Sequence, residues 1–142
     1  MKEISFNIHS LYCGFEKGLV EKRDSLKINK MGVVDDYHDD KLIILLDVKT
    51  YNRMNQYRDS ALCMSKFYPH IVIDKRINFK LNHTLFHKDK ILKVVQVGKR
   101  CHMHQGCQYY LNSCECILSK NTYYLESLSN GEINIGEEWG VK

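Results

Sequence analysis

Leu42-Ile43-Ile44-Leu45-Leu46, closed by Asp47, is the stretch on which the reading of this chain turns. Five apolar residues in a row, with no polar residue among them, mark a strand buried on both faces. Asp47 is suited to cap a following helix. Val48, Tyr51, Met54, Tyr57 and Leu62 then recur at roughly helical spacing, which predicts a helix from Val48 to Cys63.

Moving outward, the other elements read as short strands. Between Glu3 and Leu11, Ile4, Phe6 and Ile8 alternate with Ser5, Asn7 and His9, as in a half-buried strand. Gly14 and Gly18 bracket a turn, and Leu19 to Lys27 forms a second strand. Asn29 to Asp40, with Gly32 and four aspartates, reads as a loop. On the far side, Pro69 closes the helical region and Ile71-Val72-Ile73 is a short strand. Ile77, Phe79 and Leu81 alternate and predict another. Leu85 to His87 and Ile91 to Val97 form a pair joined through Lys88-Asp89-Lys90. Cys116 to Leu118, Thr122 to Leu125, Gly131 to Gly136 and a strand near Trp139 complete the series. Many short strands with one good helix predict a mainly β fold: a barrel or strongly bent sheet with one or two short helices.

A chain of 142 residues, 44% hydrophobic and 27% charged, fits a single globular domain over residues 1–142. The formal net charge is +4, without a Lys/Arg block or basic helix. Nucleic acid is therefore not an expected partner, whereas a small anionic ligand suits the modest cation excess. No signal-peptide pattern opens the chain and no apolar run reaches membrane-span length, so the expectation is a cytoplasmic protein without membrane contact. In a reducing compartment six cysteines point to chemistry or metal binding more than to disulfides. No Gly-x-Ser-x-Gly, phosphate-binding glycine loop or His-Glu-x-x-His is present, which leaves the classical hydrolases, nucleotide-binding folds and zincins without support.

The chemistry concentrates after the strand ending at Val97. Gly98-Lys99-Arg100-Cys101-His102-Met103-His104-Gln105-Gly106-Cys107, with Cys114 and Cys116 behind it, holds four of the six cysteines. Lys99, Arg100 and His102 beside Cys101 are groups that stabilise a thiolate, the form that attacks sulfur or binds a soft metal. In a continuing strand adjacent residues face opposite ways, so at most one of Lys99 and Arg100 shares a face with Cys101. Cys101, His102, His104, Cys107, Cys114 and Cys116 also supply enough ligands for tetrahedral zinc, although no Cys-x-x-Cys pair is present. A structural zinc site is the rival reading.

The order of these features resembles the MOSC domain, named for the C-terminal part of molybdenum cofactor sulfurases. Gly32-Val33-Val34-Asp35-Asp36-Tyr37-His38 is similar to the family's Gly-x-x-Gly-Asp-x-His segment, with Asp35 at its second glycine. Lys41 to Leu46 resembles an Arg-Gln-Val-Ser-Leu-Leu strand, with Leu42 at the glutamine. Cys63 to Ile71 resembles Cys-x-x-Arg-Phe-x-x-Asn-Ile, with Lys66 at the arginine and His70 at the asparagine. Gly98-Lys99-Arg100-Cys101-His102 is similar to the Gly-Lys-x-Cys-His segment carrying the family's signature cysteine. Gly131 to Glu137 resembles Gly-x-Ile-x-Val-Gly-Asp.

The resemblance implies a β-rich, barrel-like domain in which Cys101 is the reactive residue. Two chemistries follow from it. Cys101 carries sulfur as a persulfide for cofactor or metal–sulfur assembly, taking it from a donor such as a cysteine desulfurase. Alternatively, Cys101 is a thiolate ligand of molybdenum in a pterin cofactor (molybdopterin), and the protein reduces N-hydroxylated compounds with an external electron donor. Lys99, Arg100, His102, His38, Lys41 and His70 are then the candidate cofactor-binding residues.

Overall fold

The computed structural model describes residues 4–16, 19–36, 41–56, 67–98 and 121–142. The strands are β1 (Ile4–Glu16), β2 (Leu19–Arg23), β3 (Ser25–Asn29), β4 (Gly32–Val33), β5 (Leu42–Asp47), β6 (Ile71–Ile73), β7 (Thr84–His87), β8 (Lys90–Val97), β9 (Tyr123–Ser127), β10 (Gly131–Asn134) and β11 (Glu138–Val141), with helix α1 (Val48–Gln56) after β5. Seven strands close into a barrel in the order β1-β11-β7-β8-β9-β5-β6, and β6 returns to pair with β1. β2 extends from the β1 edge, and β10-β3-β4 form a small separate sheet. The β5–β6 pair is parallel, bridged by the α1 crossover, and the other pairings are antiparallel.

The apolar run has the expected burial on both faces. Ile43 and Leu45 point into the barrel core with Phe6, Ile8, Leu11, Leu92, Leu125 and Trp139. Ile44 and Leu46 alternate outward and are also buried, because α1 lies against β5 and β6 and buries Met54. Asp47 caps α1 as its position predicts: Oδ2 accepts the Thr50 N–H at 3.0 Å and Oδ1 accepts the Thr50 hydroxyl at 2.6 Å. The described part of the helix ends at Gln56, so the expected continuation to Cys63 lies outside the described residues.

The strands depart from the expected pattern in four places. β1 runs through Glu16, past the expected turn at Gly14. A register shift between Ile8 and Ser10 changes which parity faces inward, so Leu11 and Cys13 continue the core begun by Phe6 and Ile8. Ile4, expected on the buried face, is 49% exposed at the strand's start. The stretch expected as one strand from Leu19 to Lys27 is divided at Asp24 into β2 and β3, which serve different sheets. The strand expected over Ile77, Phe79 and Leu81 is absent. Phe79 instead inserts its ring edge-on against Phe6 (6.0 Å) and Tyr123 (4.9 Å), filling the barrel from an irregular segment. No helix among the described residues is long and apolar enough to cross a membrane.

Candidate functional site

Three of the segments singled out by sequence meet, through Asp36, Ile44 and His70, at a buried polar cluster on the outer side of β5 and β6. His70 starts at the outward parity of β6 and is 1% exposed. Its backbone N–H donates to Ile44 O (2.9 Å), and its carbonyl accepts from Tyr12 N–H (2.9 Å). Its ring Nδ1 accepts the Ile44 N–H at 3.0 Å. A ring nitrogen accepting from a backbone N–H carries no proton, so the imidazole proton sits on Nε2. Nε2 lies 3.0 Å from Asp36 Oδ2, with the carboxylate off the N–H line, and both side chains are buried. Asp36 Oδ1 accepts the Gly14 N–H at 2.9 Å and the Tyr68 hydroxyl at 3.1 Å.

Electrostatics follow from this arrangement. Burial opposes ionisation of Asp36, but the facing His70 ring, the Gly14 N–H and the Tyr68 hydroxyl outweigh it and pull its pKa from 3.8 down to about 2. Burial, reinforced by the Asp36 charge, pushes the neighbouring Cys13 thiol up to about 11. Cys13 is therefore a protonated core thiol, as its position among apolar residues suggests. Gly14 is required by contact: a Cβ there would overlap the Tyr68 ring, 2.7 Å from its Cζ. Gly14→Ala is expected to cost about 1–3 kcal/mol by displacing Tyr68 from Asp36, read as a lowered urea midpoint with an unchanged m-value.

Two positions of the resemblance have a backbone that explains their residue type. Asp35, at a glycine position of the quoted segment, has φ +65°, a left-handed conformation that aspartate tolerates better than most residues. Gly98, which opens the cysteine stretch, has φ +87°. Its N–H donates to Thr122 O at 2.7 Å, fixing residues 98 and 122 side by side at the barrel end from which α1 leaves β5. Arg76 Nη2 donates to Asn121 Oδ1 at 2.9 Å beside this pair.

The expected site residues divide as follows. Cys101, Lys99, Arg100, His102 and His38 lie outside the described residues, as do Cys63, Cys107, Cys114 and Cys116. Lys41 is exposed at the entry to β5, its backbone packed beside Gly32. His70 is buried against Asp36, so Asp36 and His70, from two of the quoted segments, come together while Lys41 stays on the surface. Sequence reasoning missed the parts of Gly14, Tyr68 and Thr122. Asp36 and His70 are far apart in the chain and no local spacing signals their contact. Among the described residues no group of three or more His, Cys, Asp or Glu side chains could hold a metal ion.

A second polar cluster, also unforeseen, lies at the β10–β11 turn. Glu137 takes Lys90 Nζ at 3.0 Å, the Asn134 N–H at 3.0 Å and Trp139 Nε1–H at 3.3 Å, with His87 Nε2 at 3.4 Å. Lys90 also donates to Glu132 O. Burial resists the Glu137 charge, yet Asn134 and Lys90 hold its pKa below the usual carboxylate value.

Comparison with protein-family models finds no match, and no curated protein matches the chain. Solved structures do match its fold. The YuaD protein from Bacillus subtilis superposes with a TM-score of 0.69 at 12% identity, covering 99% of this chain and 97% of that one. A second structure, described as a hypothetical protein, gives 0.62 at 10% identity, covering 98% of this chain and 68% of that one. This chain is similar to both in fold, a closed seven-stranded β-barrel.

Proposed function

We propose that this protein works through the Cys101 thiolate, as ligand of a molybdenum–pterin cofactor or as carrier of sulfur destined for one. The observation that carries the reading is the left-handed backbone at Asp35 and Gly98. Both occupy glycine positions of the quoted segments, and a left-handed backbone is the conformation that favours glycine, which supports the reading. The hydrogen-bonded pair of Gly98 and Thr122 supports it further by giving the cysteine stretch a fixed root. Cys101 is the thiolate, and Lys99 or Arg100 is the cation for a cofactor phosphate. The bound cofactor would supply redox or sulfur-accepting chemistry at molybdenum.

In the relay form the chemistry balances within the chain and its donor. The Cys101 thiolate attacks the outer sulfur of a donor persulfide, the donor's S–S bond breaks, and the donor leaves as a thiolate while Cys101 becomes the persulfide. His70 and Asp36 face one another in the buried wall, with His70 Nδ1 held by the Ile44 N–H, so in this scheme they hold the wall together and do not touch the ligand.

The test is elemental mass spectrometry on wild type and Cys101→Ser, purified without chelator from a host that makes the cofactor. Molybdenum near one per chain in wild type, lost in the variant with little change in melting temperature, is the expected result. Persulfide on wild-type Cys101 without molybdenum would select the relay form. Zinc near one per chain, with Cys101→Ser destabilised, would replace the proposal by a structural zinc site. Neither metal nor persulfide would overturn it.

A further inference from the structure

A hollow of about 240 Å³ opens on the barrel surface where β1, β11 and β7 run side by side. Ser5, Gly140 and Phe86 lie in one outward-facing row across these strands. The glycine in the middle leaves the space. A Cβ at position 140 would stand 2.5 Å from Phe86 Cζ, so the ring lies across β11 because that position has no side chain. Ile4 and Val141, paired across β1 and β11, add apolar wall. Ile4 thereby gains a role: its alternation predicts burial, yet the fold leaves it exposed at this hollow.

Lys142 and Lys88 bring positive charge to the same hollow. Lys142 is fixed by two backbone hydrogen bonds to Thr84, at 2.9 and 3.0 Å, and its Nζ lies 4.7 Å from the Phe86 ring centroid. Lys88 is the first residue of the two-residue loop between β7 and β8 and has φ +54°. Such a position favours glycine or asparagine, so lysine holds a cation here despite backbone strain. Neither ammonium has a carboxylate partner among the described residues. The lining contains one acidic side chain, the exposed Glu138, against these two cations. Unpaired cations beside an apolar wall suit a carboxylate that carries an apolar body. The volume falls below the roughly 300–1,000 Å³ of drug-sized sites, which limits that body to about one ring or a short chain.

We propose that this hollow binds a small monocarboxylate with an apolar body. Lys142 and Lys88 take the carboxylate, and the body lies against Ile4, Phe86 and Val141. The site stands on its own residues and does not depend on the reading of Cys101.

The experiment is an NMR titration of the full chain at constant ionic strength with three probes: phenylacetate, phenylacetamide and acetate. Phenylacetamide keeps the shape without the charge, and acetate keeps the charge without the body. Phenylacetate should saturate and move the amide signals of Ser5, Phe86 and Gly140, with the other two probes about tenfold weaker or more. Lys142→Met and Lys88→Gly should each bind phenylacetate about fivefold more weakly, the size expected for one exposed cation. Lys88→Gly should melt at or above the wild-type temperature, because glycine adopts the positive φ without strain. The proposal is overturned by any of four results: no saturation by phenylacetate, equal affinity for phenylacetamide, unchanged affinity in both lysine variants, or binding that moves none of those three amides.

Discussion

Asp36→Ala is expected to destabilise the fold by about 3–5 kcal/mol, the cost of removing one partner from a buried charged cluster. The substitution strands two donors at once, the Gly14 N–H and the Tyr68 hydroxyl, and removes the carboxylate that faces His70 Nε2 at 3.0 Å. His70 cannot turn away without giving up the Ile44 N–H on its other nitrogen. Asp36→Asn separates charge from hydrogen bonding. Its oxygen can still accept from Gly14 and Tyr68, but its NH2 then faces the Nε2–H, and about 1–3 kcal/mol should be lost. The pH dependence has a definite sign. The folded-state pKa is depressed from 3.8 to about 2, so the stability from this carboxylate is fully present above pH ~4 and is lost as pH falls from about 4 towards 2. The shift corresponds to roughly 2 kcal/mol at 1.4 kcal/mol per unit. Urea unfolding of wild type and Asp36→Asn at pH 6 and pH 3 checks this. The two should converge in acid, and parallel losses would refute the assignment to Asp36.

Trp139→Ala should cost a comparable 3–5 kcal/mol, the range for deleting a buried tryptophan. Trp139 pairs with Phe6 at the β1–β11 seam, where the first and last strands close the barrel, and it is 1% exposed. His87 stacks on its ring at 5.6 Å, and Lys90 Nζ lies 5.8 Å from the ring centroid. Deleting the indole empties the core and uncovers the Lys90–Glu137 pair on one side. Trp139→Phe keeps most of the apolar surface and loses only the N–H to Glu137, so about 1–1.5 kcal/mol is expected. Thermal or urea unfolding of both variants decides between core filling and the polar bond. Equal losses would assign the effect to Glu137.

The left-handed Asp35 and the buried His70 bear on how the sequence should be read at its departures from the resemblance. Aspartate in place of glycine at position 35 keeps a conformation that most other residues would strain. Histidine at position 70 uses its acceptor, Nδ1, on the Ile44 N–H, and its Nε2 faces the Asp36 carboxylate at 3.0 Å. Leu42, at the glutamine position, has no such counterpart in the structure.

The sequence by itself determined the β-rich class, the doubly buried strand β5, the Asp47 cap with the helix after it, and the β7–β8 hairpin. These follow from nearest-neighbour physics: side-chain periodicity, capping and turn chemistry act within a few residues. The tertiary structure alone decided what depends on closure. Bulges in β1 and β8 shift which residues face inward, and no local pattern encodes them. Phe79 fills the core from a segment whose alternation imitates a strand. Asp36 and His70, like Lys90 and Glu137, become partners only when the barrel brings distant strands together. A buried ion pair or hydroxyl has its meaning in the surrounding dielectric and the available donors, and those exist only once the chain has folded around them.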